Sequence, residues 1–243
     1  MNLRELNLLP DKESLARIPE GKVLINTINA WSFVCAQDDD IFAHALKGGD
    51  YLIPDGISIV KASRFLRIAG APKERITGAD LFAFEMNRLN RKGGICMFMG
   101  SSENVLTKIK EKASNTYPNI QIVTYSPPYK QSFTEEDNHA IISAIHAANP
   151  DLLWIGMTAP KQEKWAFEHW KDLHIHCHCG TIGAVFDFFA GTIKRAPEGW
   201  QKAGLEWLYR LLKEPRRMWR RYIGGNLRFL KLVFKEKFNH GIQ

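Results

Sequence analysis

The chain has 243 residues, of which 45% are hydrophobic and 24% are charged, and it carries a formal net charge of +7. This composition is that of a folded globular protein and excludes an intrinsically disordered chain. The sequence has neither a signal-peptide pattern at its start nor an uninterrupted apolar run of the about 18 residues that a spanning helix needs. Its four cysteines lack disulfide-framework spacing, so we expect reduced thiols in a cytosolic protein.

The positive charge is concentrated at the C-terminus. Residues 194–243 hold 13 Lys/Arg and 4 Asp/Glu, a net charge of +9, whereas the rest of the chain holds 20 and 22, a net charge of −2. A basic segment on a nearly neutral body predicts an appendage with a partner of its own. We therefore divide the chain into an α/β core over residues 1–195 and a basic helical appendage over residues 196–243.

Short apolar runs alternate with segments of helical periodicity along the body. We predict strands at residues 22–27, 51–53, 95–100, 120–126, 152–157 and 174–179. Helices are predicted from Gly78, from Ser101 and from Thr134, the last with Asp137 in a loose capping box. This alternation indicates βαβ units, so the predicted fold is α/β, with a mostly parallel sheet flanked by helices in a Rossmann-like arrangement.

Polar or glycine-rich turns follow most of the predicted strands. In a parallel sheet, ligands bind outside the carboxyl ends of the strands, so these turns together predict one composite site. The turns contain Thr27 and Asn29, Pro54-Asp55-Gly56, Gly100-Ser101-Ser102, Thr158–Glu163 and Gly180–Gly183.

Each turn also has a purely structural interpretation. Gly100-Ser101-Ser102 is either a phosphate-binding turn or an ordinary helix N-cap. Asp55 is either a general base or part of a generic Pro-Asp-Gly turn. Pro160–Glu163 either only starts a helix or aims Gln162 and the helix N-terminus at a diphosphate. The sequence has no GxxxxGK[ST] and no GxGxxG with a later acid, which argues against a P-loop and a nicotinamide-dependent oxidoreductase.

The C-terminal segment combines basic and aromatic residues. From Leu205 to Phe238, arginines and lysines are interleaved with tryptophan, leucine, tyrosine and phenylalanine, and Pro215 is predicted to separate two helices. The pattern favours basic amphipathic helices that bind an anionic membrane surface. Two alternatives remain, namely binding of nucleic acid and packing of the apolar face on the body.

The segment HIHCHCG, residues 174–180, brings together three histidines and two cysteines, which are zinc ligands. As a strand, however, it directs its histidines to one face and Cys177 and Cys179 to the other. We therefore predict a strand that leads into Gly180–Gly183, and no metal site. The run Asp38-Asp39-Asp40 is interpreted as a helix start rather than a metal–nucleotide clamp.

Six sequence blocks follow one another between about residue 23 and residue 225: TINA, PDGISIV, ITGADL, FMGSS, GMTAPKQEKW and GTIGAVFDFFAGTIKRAPEGWQKAGLEWLYRLLKEPRR. Together they resemble the WecG/TagA/CpsF glycosyltransferase family. The resemblance implies an inverting, metal-independent transfer of a HexNAc-type sugar, N-acetylmannosamine or a relative, in bacterial cell-surface polysaccharide synthesis. The implied donor is a UDP-sugar, with no separate cofactor, and the implied acceptor is a polyprenyl-diphosphate-linked glycan.

The resemblance also assigns roles to single residues. Asp55 is the implied general base, and Thr27 and Asn29 line the acceptor side of the pocket. Gln162 is the implied functional glutamine. Asp187, which the resemblance does not assign, is a lesser candidate on its chemistry and either binds donor hydroxyls or organises its own turn. The implied UDP-binding residues are Gly100, Ser101, Gly180 and Gly183. The implied ligands of the diphosphate or lipid headgroup are Arg195, Arg210, Arg216 and Arg217.

The implied protein is cytoplasmic and peripherally associated with the inner face of the plasma membrane. Its implied partners are the UDP-sugar, the lipid-linked glycan and, through the C-terminal basic helices, an anionic membrane surface. The alternative from another functional class is a nucleotide-sensing α/β protein whose basic tail binds nucleic acid. The sequence leaves open whether the protein forms a homo-oligomer.

Overall fold

The computed structural model of the protein describes residues 1–239, except for the side chains of Glu198, Lys202 and Arg217. Its centre is a six-stranded, all-parallel sheet. The strands are β1 (Val23–Ile28), β2 (Tyr51–Pro54), β3 (Gly94–Gly100), β4 (Ile120–Tyr125), β5 (Leu152–Gly156) and β6 (His178–Thr181). They are ordered β2-β1-β6-β5-β3-β4 across the sheet.

Helices cover both faces of the sheet, so the predicted fold class is confirmed. Those of the body are α1 (Ala30–Cys35), α2 (Asp40–Lys47), α3 (Ile57–Phe65), α4 (Gly78–Lys92), α5 (Glu103–Thr116), α6 (Glu135–Ala148), α7 (Lys161–Glu168) and α8 (Val185–Ala190). The C-terminal segment contains α9 (Glu198–Lys202), α10 (Glu206–Lys213), α11 (Pro215–Trp219), a π-helical turn (Arg220–Gly224) and α12 (Gly225–Asn239). Short 3-10 helices cover Leu3–Glu5 and Lys12–Arg17.

The interior strands β3 and β5 are buried on both faces, which is why their sequences are continuous apolar runs. In β5, Leu152 and Trp154 pack in the core cluster beneath α4, α5 and α8. Leu153 and Ile155 alternate with them and pack in the cluster beneath α6 and α7. This double burial fixes the sheet in the middle of the body.

A side-chain cap marks the start of α6 but not that of α5. Thr134 accepts a hydrogen bond from the Asp137 backbone while the Asp137 side chain accepts one from Thr134, so the predicted capping box is confirmed. α5 begins at Glu103 with Ser102 at its N-cap, although the Ser102 side chain makes no capping bond. Pro215 lies at the start of α11, directly after α10, as predicted.

The last strand is shorter than predicted. We predicted a strand from His174, but β6 begins at His178, because both neighbouring strands begin at that level; before it, the Cys177 carbonyl oxygen still accepts a hydrogen bond from the Val23 N–H (3.3 Å). The ring of His174 instead stacks on that of His146, with centroids 5.2 Å apart.

The C-terminal helix α12 packs against the body at several points. Phe229 is buried and meets the ring of Phe33 edge to face, with centroids 5.6 Å apart. Glu236 accepts hydrogen bonds from the backbone N–H groups of Leu3 (2.9 Å) and Arg4 (3.0 Å). The C-terminal segment is therefore anchored to the beginning of the chain.

Candidate active site

Asp55 lies just after β2, between the start of α4 and the C-terminal segment, and this region at the carboxyl ends of the strands is called the crevice below. Its Oδ1 accepts a hydrogen bond from the backbone N–H of Gly78, the first residue of α4 (3.2 Å). Nε of Arg75 donates to the Asp55 carbonyl oxygen, and Nη2 of Arg75 lies 3.9 Å from Asp55 Oδ1. The Asp55 side chain remains 30% exposed. The carboxylate is thus held in place and is still open to a ligand.

The surroundings of Asp55 make its carboxylate a stronger base. Desolvation by the protein raises the pKa of Asp55, and the negative charge of Glu206 adds to this rise. The Arg75 guanidinium and the Gly78 N–H act in the opposite direction but do not outweigh it. A raised carboxyl pKa brings a general base closer to its operating pH.

Glu206 of α10 attaches the C-terminal segment to this crevice. Its carboxylate accepts hydrogen bonds from Arg75 Nη2 (3.0 Å) and from Arg195 Nε (3.2 Å). Burial opposes ionisation of Glu206, but the two guanidiniums outweigh it and hold the pKa of Glu206 below its usual value. Arg195 therefore faces a carboxylate, and Arg75 bridges this carboxylate and Asp55.

Two further arginines of the C-terminal segment turn toward the crevice. The guanidinium of Arg210 lies 5.6 Å from the ring centroid of Phe188. Arg221, in the π-helical turn, is desolvated, which lowers its pKa, and its charge interacts with those of Arg210 and Asp55. The Nε atoms of Arg210 and Arg221 are buried and have no hydrogen-bond partner among residues 1–239. Guanidiniums arranged in this way are suited to bind an anion.

The residues predicted for the acceptor side lie at the end of β1, next to Asp55. Thr27 is half-buried and pairs in register with Ile53 of β2. The Asn29 side chain caps α1 by accepting from backbone N–H groups of its first turn. A Cβ on Gly56 would come within 3.0 Å of Asn29 Cβ, so the two turns are in close contact.

A second group of predicted residues lies at the ends of β3 and β5. The connections from these strands run in opposite directions, and in open α/β sheets ligands bind at the strand ends where this reversal occurs. Gly100 has a φ of 122°, and a Cβ there would come within 2.5 Å of the Gly156 carbonyl oxygen. Ser101 follows in the left-handed region, with a φ of 57°. Only glycine at position 100 permits this close approach of the two strand ends.

Gln162, in the first turn of α7, supports the turn that follows β6. It is 3% exposed, and its Oε1 accepts a hydrogen bond from the backbone N–H of Met157 (3.2 Å). A Cβ on Gly183 would lie 3.3 Å from Gln162 Oε1 and 3.1 Å from the Met157 carbonyl oxygen. Gln162 therefore connects the turn after β5 with the turn after β6.

The start of α4 joins these two groups of residues. A Cβ on Gly78, which donates to Asp55, would lie 3.3 Å from Val185 and 3.7 Å from Ile182. Ile182 directly precedes Gly183. Because Asp55 follows β2 and Gln162 follows β5, they are separated by three strand spacings, about 14 Å. A site of this width suits a reaction between two substrates.

Three other predicted residues, Gly180, Asp187 and Arg216, lie apart from these contacts. Gly180 is inside β6, where a Cβ would come within 2.3 Å of the Trp154 ring, so its glycine makes room for core packing. Asp187 Oδ1 accepts a hydrogen bond from Thr192 Oγ1 (3.2 Å) and so organises the turn after α8. Arg216 is exposed on α11, and the side chain of Arg217 lies outside the described residues.

The segments considered for metal binding are occupied by contacts within the protein. His178 is buried, with Nδ1 3.1 Å from Glu85 Oε1 and Nε2 2.8 Å from the Pro19 carbonyl oxygen. Asp39 caps α2, in agreement with the predicted helix start, and Asp38 pairs with Arg228 of α12. Within residues 1–239, no group of three or more histidine, cysteine, aspartate or glutamate side chains is placed to hold a metal ion.

Four residues of this region were not predicted from the sequence as site residues. Arg75 directly precedes the ITGADL block, and Glu206 and Arg221 lie in a segment where charged residues are too frequent to be distinguished. Glu163 was interpreted only as an acid near a helix start. It is 2% exposed, and burial raises its pKa to about 7.

The sequence model of the glycosyl transferase WecG/TagA/CpsF family matches residues 7–243. The match covers nearly the whole chain and includes both the turns of the sheet and the C-terminal segment.

Proposed function

The chain belongs to the WecG/TagA/CpsF glycosyltransferase family, and we propose that it transfers a HexNAc-type sugar, N-acetylmannosamine or a relative, from UDP to a polyprenyl-diphosphate-linked glycan. The family establishes a transferase of cell-surface polysaccharide synthesis, with a nucleotide-sugar donor and a glycan acceptor. One observation supports the proposed transfer from UDP to a diphosphate-linked acceptor more than any other. Asp55, a carboxylate with a raised pKa, interacts electrostatically with Arg221, and the Nε atoms of Arg221 and its neighbour Arg210 are buried without a hydrogen-bond partner in the described part of the chain.

In the proposed reaction, the acceptor hydroxyl attacks the anomeric carbon of the donor sugar. The new C–O bond forms as the bond to UDP breaks, Asp55 takes the hydroxyl proton, and attack from the opposite face inverts the anomeric configuration. The leaving diphosphate gathers negative charge, which the guanidiniums of Arg210 and Arg221 stabilise. In this proposal these arginines supply positive charge that a metal ion provides in other enzymes.

The remaining predicted residues take supporting roles. The turn of Gly100 and Ser101 holds the UDP part of the donor at the end of the site farthest from Asp55, while its diphosphate lies toward Arg210 and Arg221. Gln162 and Gly183 shape the donor side, and Thr27 and Asn29 the acceptor side. Gly180 acts through packing and Arg195 through Glu206, whereas Arg216 and Arg217 are left for the lipid headgroup.

Release of UDP tests this proposal directly. The purified chain should release UDP from a UDP-HexNAc when a polyprenyl-diphosphate-linked sugar is present, and should release little when the acceptor is omitted. A parallel series with UDP-N-acetylmannosamine, UDP-N-acetylglucosamine and UDP-glucose identifies the donor. Failure to release UDP from any UDP-HexNAc with a lipid-linked acceptor would contradict the proposal.

The outer face of the C-terminal segment favours a membrane partner over nucleic acid. No helix within residues 1–239 is long and apolar enough to cross a bilayer. α12 nevertheless exposes an apolar stripe beside the ring of Phe65 from α3, which is 5.5 Å from that of Phe234. The stripe consists of Leu227 (58% exposed), Leu230 (50%), Phe234 (48%) and Phe238 (66%). Apolar side chains among lysines and arginines suit the headgroup region of an anionic bilayer, and we propose that this surface binds there.

The protein should therefore float with anionic liposomes at moderate salt. The triple variant Leu230→Ser/Phe234→Ser/Phe238→Ser should bind at least about 100-fold more weakly, because each side chain contributes about 1.5–3 kcal/mol when fully buried. Point variants are preferable to truncation, since α12 also carries the buried Phe229. Tyr129→Ser, which removes a fully exposed aromatic of the body, is the control. Salt-sensitive binding to DNA or RNA without flotation would instead support the nucleic-acid alternative.

A further inference from the structure

Glu163 is buried beneath the donor side of the crevice, directly after Gln162. Its Oε1 accepts a hydrogen bond from Gln162 Nε2 (2.8 Å). Its Oε2 is also buried and has no hydrogen-bond partner in the described part of the chain. Burying a carboxyl group with an unpartnered oxygen costs free energy. An apolar side chain at this position would avoid that cost, so packing alone does not explain the glutamate.

The contact with Glu163 determines how the Gln162 amide is oriented. An amide can be placed in two orientations, related by a flip that exchanges its oxygen and its nitrogen. The backbone N–H of Met157 requires an acceptor, and Glu163 Oε1 accepts a hydrogen. Only the orientation with Oε1 toward Met157 and Nε2 toward Glu163 satisfies both. In that orientation the amide supports the backbone at Gly183.

We propose that Glu163 is a positioning residue for donor binding, which locks the Gln162 amide so that the turns after β5 and β6 are held in the shape that receives the UDP-sugar. Glu163 does not touch the sugar or the diphosphate in this proposal. It acts entirely through Gln162. The proposal rests on the proposed function, because that function places UDP at these turns.

The charge of Glu163 is consistent with this role. Burial raises the pKa of Glu163 to about 7, against the opposing effect of its hydrogen bond from Gln162. Below that pH the group is mainly a neutral acid, whose carbonyl oxygen still accepts from Gln162. A neutral acid also avoids placing a negative charge near the bound UDP. Glutamine at this position should therefore preserve the orientation of the Gln162 amide, whereas an apolar residue should not.

A double-mutant cycle tests the proposal, with the dissociation constant of UDP measured by calorimetry as the readout. Glu163→Leu should weaken UDP binding about tenfold, the effect of losing about one hydrogen bond, and Glu163→Gln should stay within about twofold of the wild type. In a Gln162→Leu background, the further change Glu163→Leu should have no additional effect, because the amide that Glu163 orients is gone. Glu163→Met takes the place of Glu163→Leu should the latter fail to fold.

Three outcomes would overturn the inference. These are unchanged UDP binding in Glu163→Leu, equal losses in Glu163→Leu and Glu163→Gln, and additive effects of the changes at positions 162 and 163. A wild-type chain that fails to bind UDP would overturn the proposed function together with the inference. A chain that binds UDP and shows the expected cycle but transfers no sugar would overturn the proposed function alone.

Discussion

Replacing Asp55 with asparagine should lower turnover by about 10²–10⁴-fold while the protein stays folded, since that is the typical contribution of a general base. The asparagine Oδ1 can still accept the hydrogen bond from the Gly78 N–H, so the local backbone is preserved. It cannot accept the proton of the acceptor hydroxyl. The rate of UDP release at saturating donor and acceptor is the measurement, with thermal unfolding as the check on folding.

The same variant should be at least as stable as the wild type at neutral pH. Because the pKa of Asp55 is raised in the folded protein, the stability it contributes is fully present below its usual pKa of 3.8 and is lost as the pH rises through the folded value. At neutral pH the ionised carboxylate therefore opposes folding, and asparagine removes this cost. Loss of activity together with unchanged or higher stability distinguishes a catalytic carboxylate from a structural one.

The pH profile and a control complete this test. Wild-type activity should fall at acidic pH as Asp55 is protonated, with a midpoint above pH 3.8, and the residual activity of Asp55→Asn should lack that fall. Asp172→Asn makes the same chemical change at a side chain that is 61% exposed and remote from the crevice, and it should leave turnover unchanged. Full activity of Asp55→Asn would remove Asp55 as the base.

The fold was predictable because its signals are local. The interior strands β3 and β5 are short apolar runs, since both of their faces are covered, and the box of Thr134 and Asp137 marks a helix start within four residues. The predicted start of β6 at His174 was wrong, because the true start depends on where β1 and β5 begin. The segment from His174 does not encode those positions by itself. Pairing between distant strands decides such boundaries.

The site was predictable only as far as sheet topology determines it. The carboxyl ends of parallel strands share one edge, so the turns with Asp55, Gly100 and Gln162 could be grouped without a structure. The bridge from Arg75 to Glu206 joins residues 131 positions apart, and no spacing rule relates them. The burial of such groups likewise depends on helices packed around them, which is why their shifted pKa values emerge only from the fold.

The C-terminal arginines illustrate this limit most clearly. Their number predicted binding of an anion, and the sequence offered Arg195, Arg210, Arg216 and Arg217 as ligands. In the structure Arg195 pairs with Glu206 and Arg216 is exposed, whereas Arg221, which was not singled out, lies near Asp55. The π-helical turn from Arg220 to Gly224 directs Arg221 inward, and such turns are frequent at functional sites.

Replacing Arg221 with methionine should consequently lower kcat by about 10²–10³-fold, the range found when one group that stabilises developing negative charge is removed. The same change should leave the free energy of unfolding unchanged or raise it. The reason is that Arg221 is desolvated and no ion pair joins it to any of the described carboxylates, so its burial costs free energy. Methionine fills a similar volume without that cost.

Arg220→Met is the matched control, because it removes the same charge from the exposed neighbouring residue. It should weaken liposome binding modestly, by the about 1 kcal/mol that a basic residue contributes near an anionic surface, and it should leave kcat unchanged. Equal losses of kcat in the two variants would show that the arginines act through the membrane. A large loss of stability in Arg221→Met would show that this guanidinium holds the C-terminal segment on the body. A loss of kcat in Arg221→Met without a loss in Arg220→Met would identify Arg221 as the residue that stabilises the leaving diphosphate. The fold would then keep this charge buried at a cost in stability because the reaction requires it.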